Sequence, residues 1–145
     1  MILPDINLLL YVHSRNAPDH KKAKEWWDKS LTEGVPVALP WVVICGFVRL
    51  VTRRAVLDPP LTVAEALAFV RRWLERPSVT PVDPGPRHFE VFSGLLEKVG
   101  VAGKLTTDAH IAAIAIEREC ELHSNDSDFL RFPGLRVKNP LKTWR

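Results

Sequence analysis

Four aspartates stand where short apolar runs give way to helices or turns. Asp5 follows Ile2, Leu3 and Pro4, Asp108 follows Thr106 and Thr107, and Asp126 and Asp128 follow Leu122, His123 and Ser124. In open parallel α/β sheets, sites form at the carboxyl ends of the strands. A topology that brings these ends to one edge therefore gathers the carboxylates. Crowded carboxylates repel one another and favour protonation unless a cation sits among them. Each position also has a plainer role. Asp5 suits an N-cap, Asp108 complements the positive end of a helix, worth about 0.5 kcal/mol, and Asp126 and Asp128 are turn formers. The recurrence of aspartate at three separate ends favours a shared site.

The elements that must position them follow from periodicity. Short apolar runs alternate with longer helix-period segments, which predicts an α/β layered domain with a largely parallel sheet of about five strands. The strands are expected at 2–3, 35–39, 79–82, 121–124 and 135–137. Helices are expected at 8–13, 18–31, 41–54, 62–76, 87–99 and 107–120. Ile44, Phe47, Val48 and Val51 share one face of the third. Thr62 and Glu65 form a capping box at the start of the fourth. In the last, Ala109, Ala112, Ala113 and Ala115 are small enough to let the helix lie close against a sheet.

The chain has 145 residues, 46% hydrophobic and 26% charged, which fits one soluble globular domain over 1–145. No stretch reaches the roughly 18 apolar residues of a membrane span. Asp5 and the lack of a basic leader argue against a signal peptide. Cys45 and Cys120 read as buried thiols without a disulfide framework. A cytoplasmic protein is the expectation. The net charge of +3 permits a nucleic-acid partner, the more so if acidic residues are gathered in one place.

The strings PDINLLLY (4–11), LTTDAHIAAIAIERECEL (105–122) and SNDSDFLRFPGLRVKNP (124–140) resemble the PIN-domain ribonucleases, and more narrowly the VapC toxins of bacterial toxin–antitoxin pairs. The resemblance covers essentially the whole chain, in order. It implies a Rossmann-like sheet with helices on both faces and an acidic cluster that binds Mg²⁺ or Mn²⁺. It also implies endonucleolytic RNA cleavage, a cognate antitoxin that blocks the site, and a toxin homodimer. By position, Asp5, Asp108 and Asp126 match the metal-binding aspartates, and Asp128 the aspartate before the phenylalanine of a D-x-D-F motif. One departure stands out. Gly46 occupies the place where the family usually carries a glutamate, so either the aspartates and water complete the ion's coordination or the activity is altered.

Phosphodiester hydrolysis needs an activated water and neutralisation of developing charge, both of which a carboxylate-held Mg²⁺ supplies. Magnesium takes oxygen ligands and keeps several waters, so Asp5 and Asp108 would suffice as direct ligands. Asn7 and Ser124 could orient a carboxylate or a phosphate, although helix-start and turn hydrogen bonding explains them too. Arg49, Arg53 and Arg54 on the third helix, and Lys21, Lys22 and Lys24 on the second, are candidate RNA contacts or simply a solvated face. Most of Trp26, Trp27, Trp41, Trp73 and Trp144 suit core or interface anchors.

Other chemistries fit poorly. GVAGKLT lacks the first glycine and the Ser or Thr of a phosphate loop, and there is no HExxH or zinc spacing. Two alternatives remain: a non-catalytic PIN-like module that binds RNA or protein, which Gly46 favours, and a receiver-type phosphoacceptor domain using Asp5 or Asp83.

Overall fold

One five-stranded sheet carries the fold of the computed structural model, which describes residues 1–142. In chain order its strands are β1 (Ile2–Pro4), β2 (Val37–Pro40), β3 (Val79–Val82), β4 (Glu121–His123) and β5 (Val137–Lys138). Their spatial order is β3-β2-β1-β4-β5, and every neighbouring pair is parallel. The helices are α1 (Ile6–His13), α2 (His20–Thr32), α3 (Trp41–Val51), α4 (Val63–Leu74), α5 (His88–Val99) and α6 (Thr106–Glu117).

From β1 to β3 the chain winds one way; β4 and β5 lie on the other side of β1. Crossovers between parallel strands are right-handed, so α1 to α4 cover one face and α5 and α6 the other. The packing agrees: α1 meets α2 and α3, α3 meets α4, and α5 meets α6. The winding reverses between β1 and β4, and that switch point is where open sheets bind ligands. The order also excludes the receiver reading. Receivers of order 2-1-3-4-5 hold their third strand inside the sheet, whereas β3 here is an edge strand two places from β1.

Proline sits where its missing donor does no harm. Pro4 is the last residue of β1, and the ladder resumes with Asp5 N–H donating to the His123 carbonyl at 2.9 Å. Pro81 lies in the edge strand, where such a gap is tolerated. Thr62 and Glu65 close the capping box at 3.1 and 3.0 Å. Gly100, at φ 83°, ends α5 in the left-handed conformation that a helix C-terminus favours. In α6, Ala109, Ala112, Ala113 and Ala115 are wholly buried with Ile111 and Ile114. That pattern belongs to a helix enclosed on most sides.

Several expectations change. Cys45 is exposed, because it lies on the outer side of α3; only Cys120 is buried. Helix α3 stops at Val51, so Arg53 and Arg54 fall beyond it. Trp27 and Trp73 are core residues and Trp26 is half-buried, but Trp41 is 47% exposed. Trp144 lies outside the described residues. The strand expected at 135–137 is Val137–Lys138, paired with Leu122 and His123. Among the described residues no helix is long and apolar enough to cross a membrane.

Candidate metal centre

Asp5 is the N-cap of α1, and both of its oxygens are engaged. Oδ1 accepts from Ile6 N–H at 2.7 Å, and Oδ2 accepts from the Ser124 hydroxyl at 2.8 Å. The cap and the site are thus one feature. Ser124, fully buried at the end of β4, also accepts from Asp126 N–H at 2.9 Å. Asp126 in turn accepts from Asp128 N–H at 2.9 Å, capping a 3₁₀ turn over Ser127–Arg131. A single chain of hydrogen bonds therefore runs from the end of β1 across the switch point into the turn after β4.

Neighbouring contacts hold that turn. Ser124 N–H donates to the Lys138 carbonyl at 3.0 Å, and Asn139 donates to Asn125 at 2.8 Å. Trp26 Nε1–H, which can only donate, meets His123 Nδ1 at 3.0 Å. His123 Nε2 must then carry the proton that it gives to Glu121 at 2.8 Å.

Asp108 enters from the first turn of α6. One carboxylate oxygen from each of Asp108, Asp126 and Asp128 lies within 4.8 Å of the others. Asp5 is buried just behind this trio, close enough to act electrostatically on both Asp108 and Asp126. Burial raises the Asp5 carboxyl to about 6, against the lowering effect of its two hydrogen bonds. Asp108 is likewise raised to about 6, first by burial and then by the charges of Asp5, Asp126 and Asp128; Lys104 opposes the shift. Burial leads in both shifts, and the neighbouring carboxylates add to it.

All four sequence-expected aspartates thus meet at one edge, but in unequal roles. Asp108, Asp126 and Asp128 present converging oxygens, while each Asp5 oxygen accepts one protein donor and keeps a lone pair for a further partner. Three carboxylate oxygens form a hard donor set that suits Mg²⁺ or Mn²⁺. Ser124 is a positioning residue at the centre of the chain. Asn7 is exposed on α1 next to Asp5. Arg49 lies about 12 Å along α3 from its first residue, and Arg53 and Arg54 lie further still, with Arg54 beside His13 and Asn16 at the far end of α1. The structure therefore places these arginines away from the acidic edge. Lys104, which sequence reasoning passed over within a rejected loop motif, is the cation felt by Asp108.

The Gly46 departure has a structural counterpart. A Cβ at Gly46 would stand 2.6 Å from Ile6 Cδ1 and 3.1 Å from Ile6 Cγ1. Ile6 fills the space into which a side chain at position 46 would project, next to the Asp5 cap.

Comparison with known proteins agrees with this geometry. The PIN domain family matches residues 2–135. Ribonuclease VapC33 of Mycobacterium tuberculosis is 44% identical over 142 residues, covering 98% of this chain and 99% of its own. Ribonuclease VapC31 of the same organism is 37% identical, covering 97% of this chain and 100% of its own. Among solved structures, the VapBC2 complex from Rickettsia felis bound to promoter DNA contains a chain that superposes with a TM-score of 0.69 at 19% identity, over 96% of this chain and 98% of that one. VapC20 of M. tuberculosis, a sarcin–ricin loop cleaving toxin, gives 0.65 at 18% identity over 94% of this chain and 99% of its own. The chain belongs to the PIN domain family, among the VapC ribonucleases.

Proposed function

We propose that this chain is a metal-dependent endoribonuclease that serves as the toxin of a toxin–antitoxin pair. The observation that carries the reading is the convergence of Asp108, Asp126 and Asp128 at the sheet's switch point, in a chain 44% identical to a ribonuclease along its length. Mg²⁺ or Mn²⁺ held there would supply an activated water and neutralise charge on the phosphate. Asp108, Asp126 and Asp128 would hold the ion, each through the oxygen it turns toward the others. Asp5, buried beside them, would add a fourth carboxylate to the ion's surroundings. It fixes the Ser124 hydroxyl, which fixes the Asp126 backbone, and its charge adds to the pull on a cation. Lys104 is placed to meet a substrate phosphate near Asp108. A cognate antitoxin is the expected partner, since solved relatives of this fold are VapBC complexes.

The test is cleavage of a broad RNA pool by purified protein, with and without Mg²⁺ or Mn²⁺, beside Asp108→Asn. Metal-dependent cutting that falls about 100-fold or more in the variant is expected, the size of losing one preorganised charge-stabilising group. A second reading, a PIN-like module that binds without cutting, draws on Gly46 and the Ile6 side chain that fills its place. RNA binding by both proteins with cutting by neither would decide for it.

A further inference from the structure

We propose that the cleft between the starts of α5 and α6 is a nucleobase subsite, which takes the base of the nucleotide next to the phosphate held at the carboxylates. The cleft has a volume of about 400 Å³ and is walled by Val42, Phe89, Phe92, Thr106, Thr107 and His110. That size lies within the roughly 300–1,000 Å³ of small-ligand pockets. Thr107 directly precedes Asp108 on α6 and His110 follows it by two residues, so the cleft and the acidic centre share the first turn of that helix on different flanks of it. An RNA strand whose phosphate sits at Asp108 would bring a base to the cleft by passing over the start of α6. The position of that phosphate rests on the ribonuclease reading.

The chemistry of the walls fits a base better than an aliphatic side chain. Phe89 is 78% exposed, an aromatic face open to solvent at the rim. Single-stranded RNA is held by stacking of this kind, with hydrogen bonds to base edges setting preference. The hydrogen-bonding group is held in place from behind. His88 Nδ1 lies 2.6 Å from Glu117 Oε1, and its Nε2 lies 2.8 Å from His110 Nδ1. A carboxylate only accepts, so His88 Nδ1 carries a hydrogen. In the neutral chain His88 Nε2 then accepts from His110 Nδ1–H, which leaves His110 Nε2 as an acceptor for an N–H on the base. Glu117 is almost enclosed and His88 largely so, with side chains 9% and 16% exposed. A Glu–His–His chain of this kind is more than a surface wall requires; it fixes one ring atom of His110 for recognition.

The test is binding, which is separable from cutting. Wild type, Phe89→Ala and His110→Gln are titrated with single-stranded hexaribonucleotides of one base each, and with an abasic hexamer. Ca²⁺ takes the place of Mg²⁺, and the histidine ring resonances report on the cleft. The wild type is expected to prefer based over abasic RNA and to shift the His110 signals. Phe89→Ala should lose roughly 5-fold to 150-fold in affinity for based RNA, the range of one stacking contact. It should lose nothing for the abasic strand, and its fold should be intact because so exposed a ring leaves no cavity. His110→Gln should reorder the preference among bases. Equal binding of based and abasic RNA by the wild type would overturn the proposal. So would a Phe89→Ala protein that merely dissociates from dimer to monomer while binding based RNA as the wild type does, which would make the cleft a contact between copies. If based RNA still binds selectively and shifts His110 but Mg²⁺ produces no cleavage, the ribonuclease reading fails and the subsite stands.

Discussion

The acidic edge and the cleft between α1, α2 and α4 treat polarity near the core in opposite ways. The cleft, about 550 Å³, brings His13, Trp27, Phe69 and Trp73 together with Arg72 and Arg76. Its rings meet edge to face, His13 with Phe69 at 4.3 Å and Trp27 with Trp73 at 5.5 Å, and the Arg72 guanidinium lies 4.7 Å above Phe69. Aromatic pairs of this geometry add about 0.5–1.5 kcal/mol each beyond area burial. The acidic edge gathers like charges instead, and two of its carboxyls are held near 6 by burial and mutual repulsion. One region stabilises the fold from within. The other holds two carboxyls that folding makes harder to ionise.

Breaking the first region should produce the largest change in stability. Trp73, 4% exposed, contacts Trp27, Phe47 and His13. Trp73→Ala should cost about 3–5 kcal/mol, lowering the melting temperature by about 10 °C. The rise in melting temperature produced by Mg²⁺ or Mn²⁺ should persist, because the ligands lie elsewhere. Thermal melts with and without metal check both halves of the statement. Loss of the metal effect would show that the two regions are coupled.

The second region should show itself through pH. A carboxyl raised from 3.8 to about 6 on folding keeps its proton longer in the native state. Between those values the unfolded chain binds fewer protons, so stability falls as pH rises from about 4 through 6 and levels off above. Melts of metal-free protein should therefore rise as pH drops from 7 to 5, by roughly 1 kcal/mol for buried Asp5 out of the ~3 kcal/mol that its whole shift carries. Asp5→Asn, which keeps a capping side chain, should flatten the dependence. Added Mg²⁺ or Mn²⁺ should flatten it too at pH 7, by stabilising the ionised carboxylates.

How far the sequence exposed these regions depends on the range of the contacts that build them. The acidic edge was legible because each aspartate carries a local mark, a strand end or a helix start, and parallel topology brings such ends together. The strands and helices were legible from period, with shifts of two or three residues at the starts of α1, α2, β2 and β5 and at the ends of α3, α4 and α6. The aromatic cleft was not, because it joins Trp27 to Trp73 and His13 to Phe69 from helices distant in the chain. Ser124 could be marked as a possible partner of the site, but its double hydrogen bond depends on β1 and β4 being neighbours. His88, His110 and Glu117 stand on two helices without any shared local signature. Arg53 and Arg54 misled for the converse reason: a helix period suggested a basic face, and the helix ended before reaching them.

A smaller effect addresses the junction between α1 and α3. A side chain at position 46 must displace Ile6, which neighbours the Asp5 cap. Gly46→Glu should cost about 1–3 kcal/mol as overpacking, although the obstructing atom is the end of a flexible side chain. Ile6→Ala combined with Gly46→Glu should recover part of the loss, and a double-mutant cycle of melting data measures the coupling. Recovery accompanied by a stronger metal-induced shift would show a fifth carboxylate reaching the acidic edge. Equal losses in single and double variants would show that Ile6 is not the obstacle.

The smallest effect lies at the start of α4, which forms a wall of the aromatic cleft, and it runs against the acidic edge in pH. Thr62 accepts from Glu65 N–H, and Glu65 accepts from Thr62 N–H. The Thr62 backbone N–H first, and then the Thr62 side chain, hold the Glu65 carboxyl below its ordinary range. A lowered carboxyl contributes stability above the unfolded value and loses it as pH falls through the folded value. Thr62→Ala should lower the melting temperature by about 2–4 °C at pH 7. That difference from the wild type should shrink as pH falls below the ordinary glutamate value of 4.5 and Glu65 becomes protonated. The acidic edge gains from about 6 toward 3.8, most of it before the cap begins to lose below 4.5. A wild-type melt that rises on acidification and then turns over, with the turn softened in Thr62→Ala, would separate the two regions in a single titration. A turn of equal depth in both proteins would assign the loss to other carboxylates.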